Sequence, residues 1–347
     1  MKRILAVGLV IIFSLSAVGC SPIENNLDKR LIIQGIGIDL EADEYKITVM
    51  YMDTADPVGE GDVKSSFAEG SGLSVLDALT DTANKTGREP LYGQCAFIVL
   101  GGGLIKNGIS EPLEFFTDYY EFHPNINIFS SESSADKVMR AENMSVRLMQ
   151  DFADTEASTG KTISSTLNEV YAALSSGRTS AVTSLIDIKD KKIFVNGAAA
   201  FDGDKAGAIL SSEQCMATLL LCGDAKSVWD IFQSDEGGNI NYSLSGCKSK
   251  INVSTSGGIE FDIAVNTHAS AYGTESSARL ESKIKSRIKT LCESTIEQLL
   301  KKKRLDVFNL ERTLYSKDYG YYKTLENPKQ AVVLSRVNVI TDIELQR

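Results

Sequence analysis

Apolar and polar positions alternate along this chain in several rhythms, and each rhythm predicts a different element. Residues 30–39 (RLIIQGIGID) and 45–52 (YKITVMYM) are β-branched and apolar, with Leu40-Glu41-Ala42-Asp43-Glu44 between them. That predicts two strands around an acidic turn. Residues 53–72 are rich in Gly, Ser and acids and predict a mobile loop. Leu73, Leu76, Leu79 and Ala83 then fall at helical spacing in a segment ending near Gly87. A strand over 94–100 closes on Gly101-Gly102-Gly103. A short turn at 104–107, a helix over 109–120, a strand over 125–130 and a helix over 134–149 follow. Strands interleaved with helices in this order predict mixed α/β layers rather than an all-β sandwich.

Residues 158–178 are Ser/Thr-rich with helically spaced leucines and predict a loop and a helix ahead of a boundary near residue 190. From Lys192 the pattern changes to hairpins. Residues 193–201 are apolar, Asp202-Gly203-Asp204-Lys205 is a turn, and residues 206–210 return, since Asp-Gly between apolar runs signals a hairpin. Residues 240–272 alternate as strands around Gly257-Gly258. The longest helix, about 276–304, lines one face with Leu280, Ile284, Ile288, Leu291, Cys292, Ile296, Leu299 and Leu300. It ends in Lys301-Lys302-Lys303-Arg304, cations that complement the negative end of a helix more simply than they bind lipid headgroups. A final strand is expected over 331–340. The fold class expected is α+β, with mixed sheets and packed helices in more than one domain. The division is a leader at 1–19, an N-terminal α/β region at 20–190 and a C-terminal α+β domain at 191–347.

The leader changes the picture most. Lys2 and Arg3 precede an apolar run over 4–18, then Gly19 and Cys20. A charged start, an apolar stretch and a small residue at the cut describe a secretory signal. The run falls short of the roughly 20 apolar residues that a spanning helix needs. Ala17-Val18-Gly19-Cys20 resembles a lipobox, which makes Cys20 the expected site of S-diacylglyceryl and N-acyl modification. Two or more acyl chains, at about 0.8 kcal/mol per buried CH₂, suffice for stable anchoring. Loss of residues 1–19 removes Lys2 and Arg3 and no acid, leaving 34 basic and 46 acidic side chains and a formal charge of −12. Such a surface has no long-range attraction to anionic lipid or nucleic acid, so lipid must hold it and no nucleic-acid partner is expected.

With Cys20 acylated, Cys95, Cys215, Cys222, Cys247 and Cys292 remain, an odd number that excludes complete pairing. Cys95 lies in an apolar strand and Cys292 on the helical stripe. Cys215 and Cys222 could pair or could both be core residues, and no structural disulfide is expected. Gly35-Ile36-Gly37 lacks the third glycine and the following helix of a dinucleotide fingerprint. Gly160-Lys161-Thr162 lacks the earlier glycine of a phosphate loop, because Thr155 stands there. Asp202, Asp204, Gly207 and Glu213 match positions 1, 3, 6 and 12 of a calcium loop, but position 5 is Ala206 and the preceding segment is strand-like. The two histidines, His123 and His268, have no partner at metal spacing. No catalytic constellation, resident metal or cofactor is expected.

Several segments in order resemble the Ger(x)C family, the C-subunit lipoproteins of spore-germination receptors. They are the lipobox, Leu31-Ile32-Ile33-Gln34-Gly35-Ile36-Gly37-Ile38-Asp39 with Tyr45-Lys46-Ile47-Thr48-Val49, and Gln94-Cys95-Ala96-Phe97-Ile98-Val99-Leu100-Gly101 with Lys106-Asn107-Gly108-Ile109. The most specific is Gly197-Ala198-Ala199-Ala200-Phe201, followed by Lys205-Ala206-Gly207-Ala208-Ile209-Leu210 and Glu213. After the cysteine, Leu27-Asp28-Lys29-Arg30 stands where the family usually has a Trp-Asp cluster. The resemblance implies three sheet-and-helix domains and a place on the outer face of the spore inner membrane. It further implies a complex with integral-membrane A- and B-type subunits, and a non-enzymatic role. Rival readings are a solute-binding lipoprotein of a transporter, with two similar lobes about a cleft, and a tethered envelope hydrolase.

Overall fold

The computed structural model describes residues 30–52, 65–233, 239–272 and 277–346. The leader, Cys20, residues 21–29 and the first part of the expected loop, 53–64, lie outside the described residues.

Strand β1 (Arg30–Glu41) folds back on β2 (Glu44–Met52). Ala42 and Asp43 take φ of 50° and 65°, the left-handed pair that a tight hairpin turn needs. Residues 65–72, expected in a loop, form β3 (Ser65–Gly72) beside β2. Their composition reads as loop for a packing reason: a Cβ on Gly70 would sit 2.2 Å from the Ala78 carbonyl oxygen, so the strand must be small where helix α1 (Val75–Thr86) lies on it. That helix buries Val75, Ala78, Leu79 and Thr82, while Leu73 and Leu76 are 81% and 51% exposed. The expected stripe is therefore rotated, because small residues let α1 approach the glycine strand.

Next come β4 (Glu89–Leu91), β5 (Phe97–Leu100), α2 (Gly102–Asn107), α3 (Ser110–Asp118) and β6 (Asn127–Ser131). The helix expected over 134–149 is two helices, α4 (Ala135–Met139) and α5 (Val146–Thr159). The break is built in. The Asn143 side chain both donates to the Ile193 carbonyl and accepts from its N–H, and Ser145 caps the second helix. Then β7 (Ser165–Thr166) leads into α6 (Leu167–Ser176), followed by β8 (Val182–Lys189), β9 (Lys192–Asp202) and β10 (Lys205–Leu210). These strands form one ten-stranded sheet in the order β10-β9-β8-β6-β5-β1-β2-β3, with β4 on β1 and β7 on β6. Its faces carry two cores: Ile98 and Leu100 belong to one, Phe97 and Val99 to the other.

The second sheet follows helix α7 (Ser212–Cys222). It is built from β11 (Ser227–Gln233), β12 (Asn239–Ser254) and β13 (Glu260–Tyr272), and closed by the last strand of the chain. The long helix α8 (Ser277–Ile296) ends in a π-helical turn, Glu297–Lys302, and all eight apolar stripe residues are buried. Three short helices, α9 (Leu310–Lys317), α10 (Tyr319–Tyr322) and α11 (Pro328–Leu334), precede β14 (Arg336–Gln346), which runs parallel to β13. The final strand thus begins later than expected. Asn327 caps and Pro328 starts a helix where the strand was placed.

Residue 190 falls in the turn between β8 and β9, whose strands pair from Lys189 and Lys192 outward. Residues 192–210 are consequently part of the first sheet. Strand β9 is shared further: Ala199 and Phe201 enter the first core, and Ala198 and Ala200 enter the core of the second sheet with α7 and α8.

Candidate functional site: the groove between the two sheets

The sequence candidates are not brought together. Asp202, at the end of β9, takes Lys329 Nζ at 2.6 Å. Asp204 is in the following turn, and its carbonyl accepts from Ile109 N at 3.0 Å. Glu213 lies in the first turn of α7 and pairs with Arg287 of α8. The calcium-loop spacing is therefore a hairpin followed by a helix, with two of its three carboxylates taken by cations. Among the described residues no group of three His, Cys, Asp or Glu could hold a metal ion. His123 accepts from Asn125 N, and His268 stands 3.5 Å from Glu344.

The five described cysteines are free. Burial pushes the thiols of Cys95, Cys215 and Cys292 up to about 12, and raises Cys222 and Cys247 as well. Cys95, Cys215, Cys247 and Cys292 are small apolar residues in cores, and Cys222 is half-buried at the end of α7. Cys20 lies outside the described residues.

What the fold does assemble is a groove of about 1000 Å³ between the two sheets. One wall is α6 and its flanks; the other is the end of α7 and helix α9. Helix α6 starts with a reciprocal cap in which Thr166 accepts from Glu169 N and Glu169 accepts from Thr166 N at 2.8 Å. Glu169 is thereby fixed at one end of the groove. Beside it are Glu156, which accepts from Ser164 N, and Asp224 just beyond α7. Burial, helped by the neighbouring carboxylates, raises the Glu156 carboxyl above its ordinary range, with the Ser164 N–H and, less, Lys226 opposing. Asp224 is raised for the same two reasons.

The other end is cationic. Arg178 follows the left-handed Gly177 cap of α6, and its guanidinium carbon stands 3.9 Å from the centre of the Tyr315 ring. Arg312 precedes Tyr315 by three residues on α9, one turn away on the same side. Among the described residues Arg312 and Asp224 form no side-chain hydrogen bond or ion pair.

Beside the cationic end lies a buried joint. The Asp306 carboxylate accepts from the N–H groups of Phe308 (3.1 Å), Leu310 (3.1 Å) and Glu311 (2.8 Å). Its carbonyl accepts from Ser180 N at 2.8 Å and from Thr179 Oγ1 at 3.0 Å, which ties the first region to the second. Desolvation outweighs the three N–H donors and pushes the Asp306 carboxyl up to about 6. Sequence reading missed the groove because its residues come from four separate segments, each ordinary by itself.

Comparison with known proteins places nearly the whole chain. A family model described as "Spore germination protein N-terminal domain" matches residues 24–188, and one described as "Spore germination B3/ GerAC like, C-terminal" matches residues 196–347. No curated protein matches. A solved structure described as "Crystal Structure of the GerBC protein" shares the fold, with a TM-score of 0.63 and 16% identity over 90% of this chain and 97% of that one. The α+β, mixed-sheet architecture expected from the sequence is the one observed. The motifs read in order along the chain and the two family matches over nearly its full length agree: this protein belongs to the Ger(x)C family of spore-germination proteins.

Proposed function

We propose that this protein is a lipid-anchored, non-enzymatic subunit of a nutrient germinant receptor. Cys20 holds it on the extracytoplasmic face of the spore inner membrane, and its folded surface docks on integral-membrane A- and B-type subunits. The observation that carries this reading is the tandem match of both germination-family models. The lipobox at Ala17-Val18-Gly19-Cys20 supports the anchor. Among the described residues no helix is long and apolar enough to cross a membrane. Tethering turns docking into a near-intramolecular event at high effective concentration, so that a modest interface suffices. The domain division enters this reading as an N-terminal unit that follows the lipid and a C-terminal unit, with β9 and β10 in the sheet of the first.

Deleting the gene and measuring germination on single nutrients tests the function. Loss of response to one class of nutrient is expected; normal responses to all, in spores without a redundant receptor, would refute it. Cys20→Ala tests the anchor, with loss of acyl labelling and of membrane retention expected. Unchanged membrane fractionation of that variant would overturn the lipid assignment.

A further inference from the structure

The groove between the sheets has a shape and a charge order that its own chain does not use up. A second hollow of about 440 Å³ continues it, sharing Ser164, Ser165 and Glu169 with the first and adding Asp154 of α5. Together they make a trough running along α6, open on one side. Carboxylates gather where α6 begins: Glu156, Glu169 and Asp224 face a single ammonium, Lys226. Guanidinium groups gather where α6 ends: Arg178 on Tyr315, and Arg312.

The distance between the two ends selects the class of ligand. From Glu169 to Ser176, the last residue of α6, is seven residues, roughly 10 Å at 1.5 Å per residue, and Arg178 follows beyond the Gly177 cap. A free amino acid or other small zwitterion carries both charges within a single residue and reaches only one end. An extended polypeptide advances about 3.3 Å per residue, so about three to four residues span the gap.

We propose that the trough holds an extended polypeptide segment of a partner subunit, with a basic side chain against Glu156, Glu169 and Asp224 and an acidic side chain against Arg178 and Arg312. The pairing sets direction as well as register, because reversing the segment sets like charge against like at both ends. Helix polarity explains part of the arrangement, since an acid at the start of α6 and a cation at its end suit the dipole. It does not explain Asp224 or Arg312. Both are exposed, come from the opposite wall and have no partner among the described residues.

This inference rests on the receptor-subunit reading, and one experiment separates the two. A photo-crosslinking phenylalanine derivative is placed at Ser176 or Ser316, exposed groove positions, and at Lys248 as an exposed control outside the groove. The full-length protein is kept in its receptor in spore membranes, and adducts are mapped by mass spectrometry. The expected adducts are with another polypeptide, at a segment bearing a basic and an acidic residue about three to four positions apart. Arg312→Glu or Asp224→Lys should each lower the yield by about five-fold, the scale of one lost and one repulsive charge contact, while Arg312→Lys keeps most of it. Adducts no stronger than at Lys248, adducts only with residues 20–29 or 53–64 of this chain, or yields indifferent to both reversals would overturn the groove assignment. If the protein still sediments with its membrane partners in those cases, the receptor reading survives. If the unmodified protein fails to associate with any partner, that reading falls first.

Discussion

Both faces of the ten-stranded sheet are covered, by α1, α3 and α6 with their neighbours on one side and by α4 and α5 on the other. The four-stranded sheet packs one face on α7 and α8 and leaves the other open, so that β12 runs Asn239 out, Ile240 in, Asn241 out, Tyr242 in. Covered strands therefore read as unbroken apolar runs, such as Phe97-Ile98-Val99-Leu100, and half-covered strands read as alternation. The lesson is that tolerance to substitution should differ sharply between the sheets at positions of similar hydrophobicity.

The largest effect should come from the covered sheet. Phe97→Ala removes a fully buried ring that packs between Gly35 and the α4–α5 face, at a cost of about 3–5 kcal/mol. Chemical denaturation measures it; a loss under 1 kcal/mol would break the comparison. The joint between the sheets comes next. Asp306→Ala leaves three buried N–H groups without an acceptor and should cost about 3 kcal/mol.

The same joint carries a pH dependence of definite sign. Its carboxyl is raised from 3.8 in the unfolded chain to about 6 in the fold, so folding favours the protonated form. The stability this group contributes is full below about pH 4 and is lost as pH rises through 6. In urea titrations, wild type minus Asp306→Asn should therefore fall by about 1–3 kcal/mol between pH 4 and 7.5. A difference that is flat or rising with pH would contradict the assignment.

A smaller effect is expected where the long helix meets the last strand. Lys301 Nζ donates to the Val333 carbonyl at 2.8 Å and also to that of Ser335. Lys301→Met should lose about 1–2 kcal/mol, which a thermal melt detects. Smallest of all is the open face. Trp229 and Ile231 of β11 are 50% and 57% exposed, and Trp229→Ser should change stability by less than about 0.5 kcal/mol.

Legibility in the sequence follows the same division. Strands β1, β2, β5 and the long helix were readable because their burial is one-sided or complete over a run of the right length. Helix α7 was not. Cys215 through Leu221 are buried all round, so no polar face marks a period of 3.6. Strand β8 was hidden by polar residues that are paired inside: Thr183 with Ser130 at 2.7 Å, and Ser184 with Thr162 at 2.9 Å. Lys301 shows the same limit. It reads as one of four cations that complement the end of the long helix, yet it reaches carbonyls more than thirty positions away. The groove depends on the pairing of distant segments, which no local pattern encodes. The family was legible because it rests on order along the chain.

Strand β9 has a bearing on how such proteins recombine. The two family models meet between residues 188 and 196, inside the β8–β9 hairpin. A chimera joined there would ask a foreign β9 to complete the β8 register and to supply Phe201 to one core and Ala200 to another. Joined instead at Leu210-Ser211, between β10 and the capped start of α7, the exchanged half keeps its own sheet and brings its own helix cap. The workable seam for swapping halves between relatives is therefore some twenty residues beyond the one that sequence similarity marks.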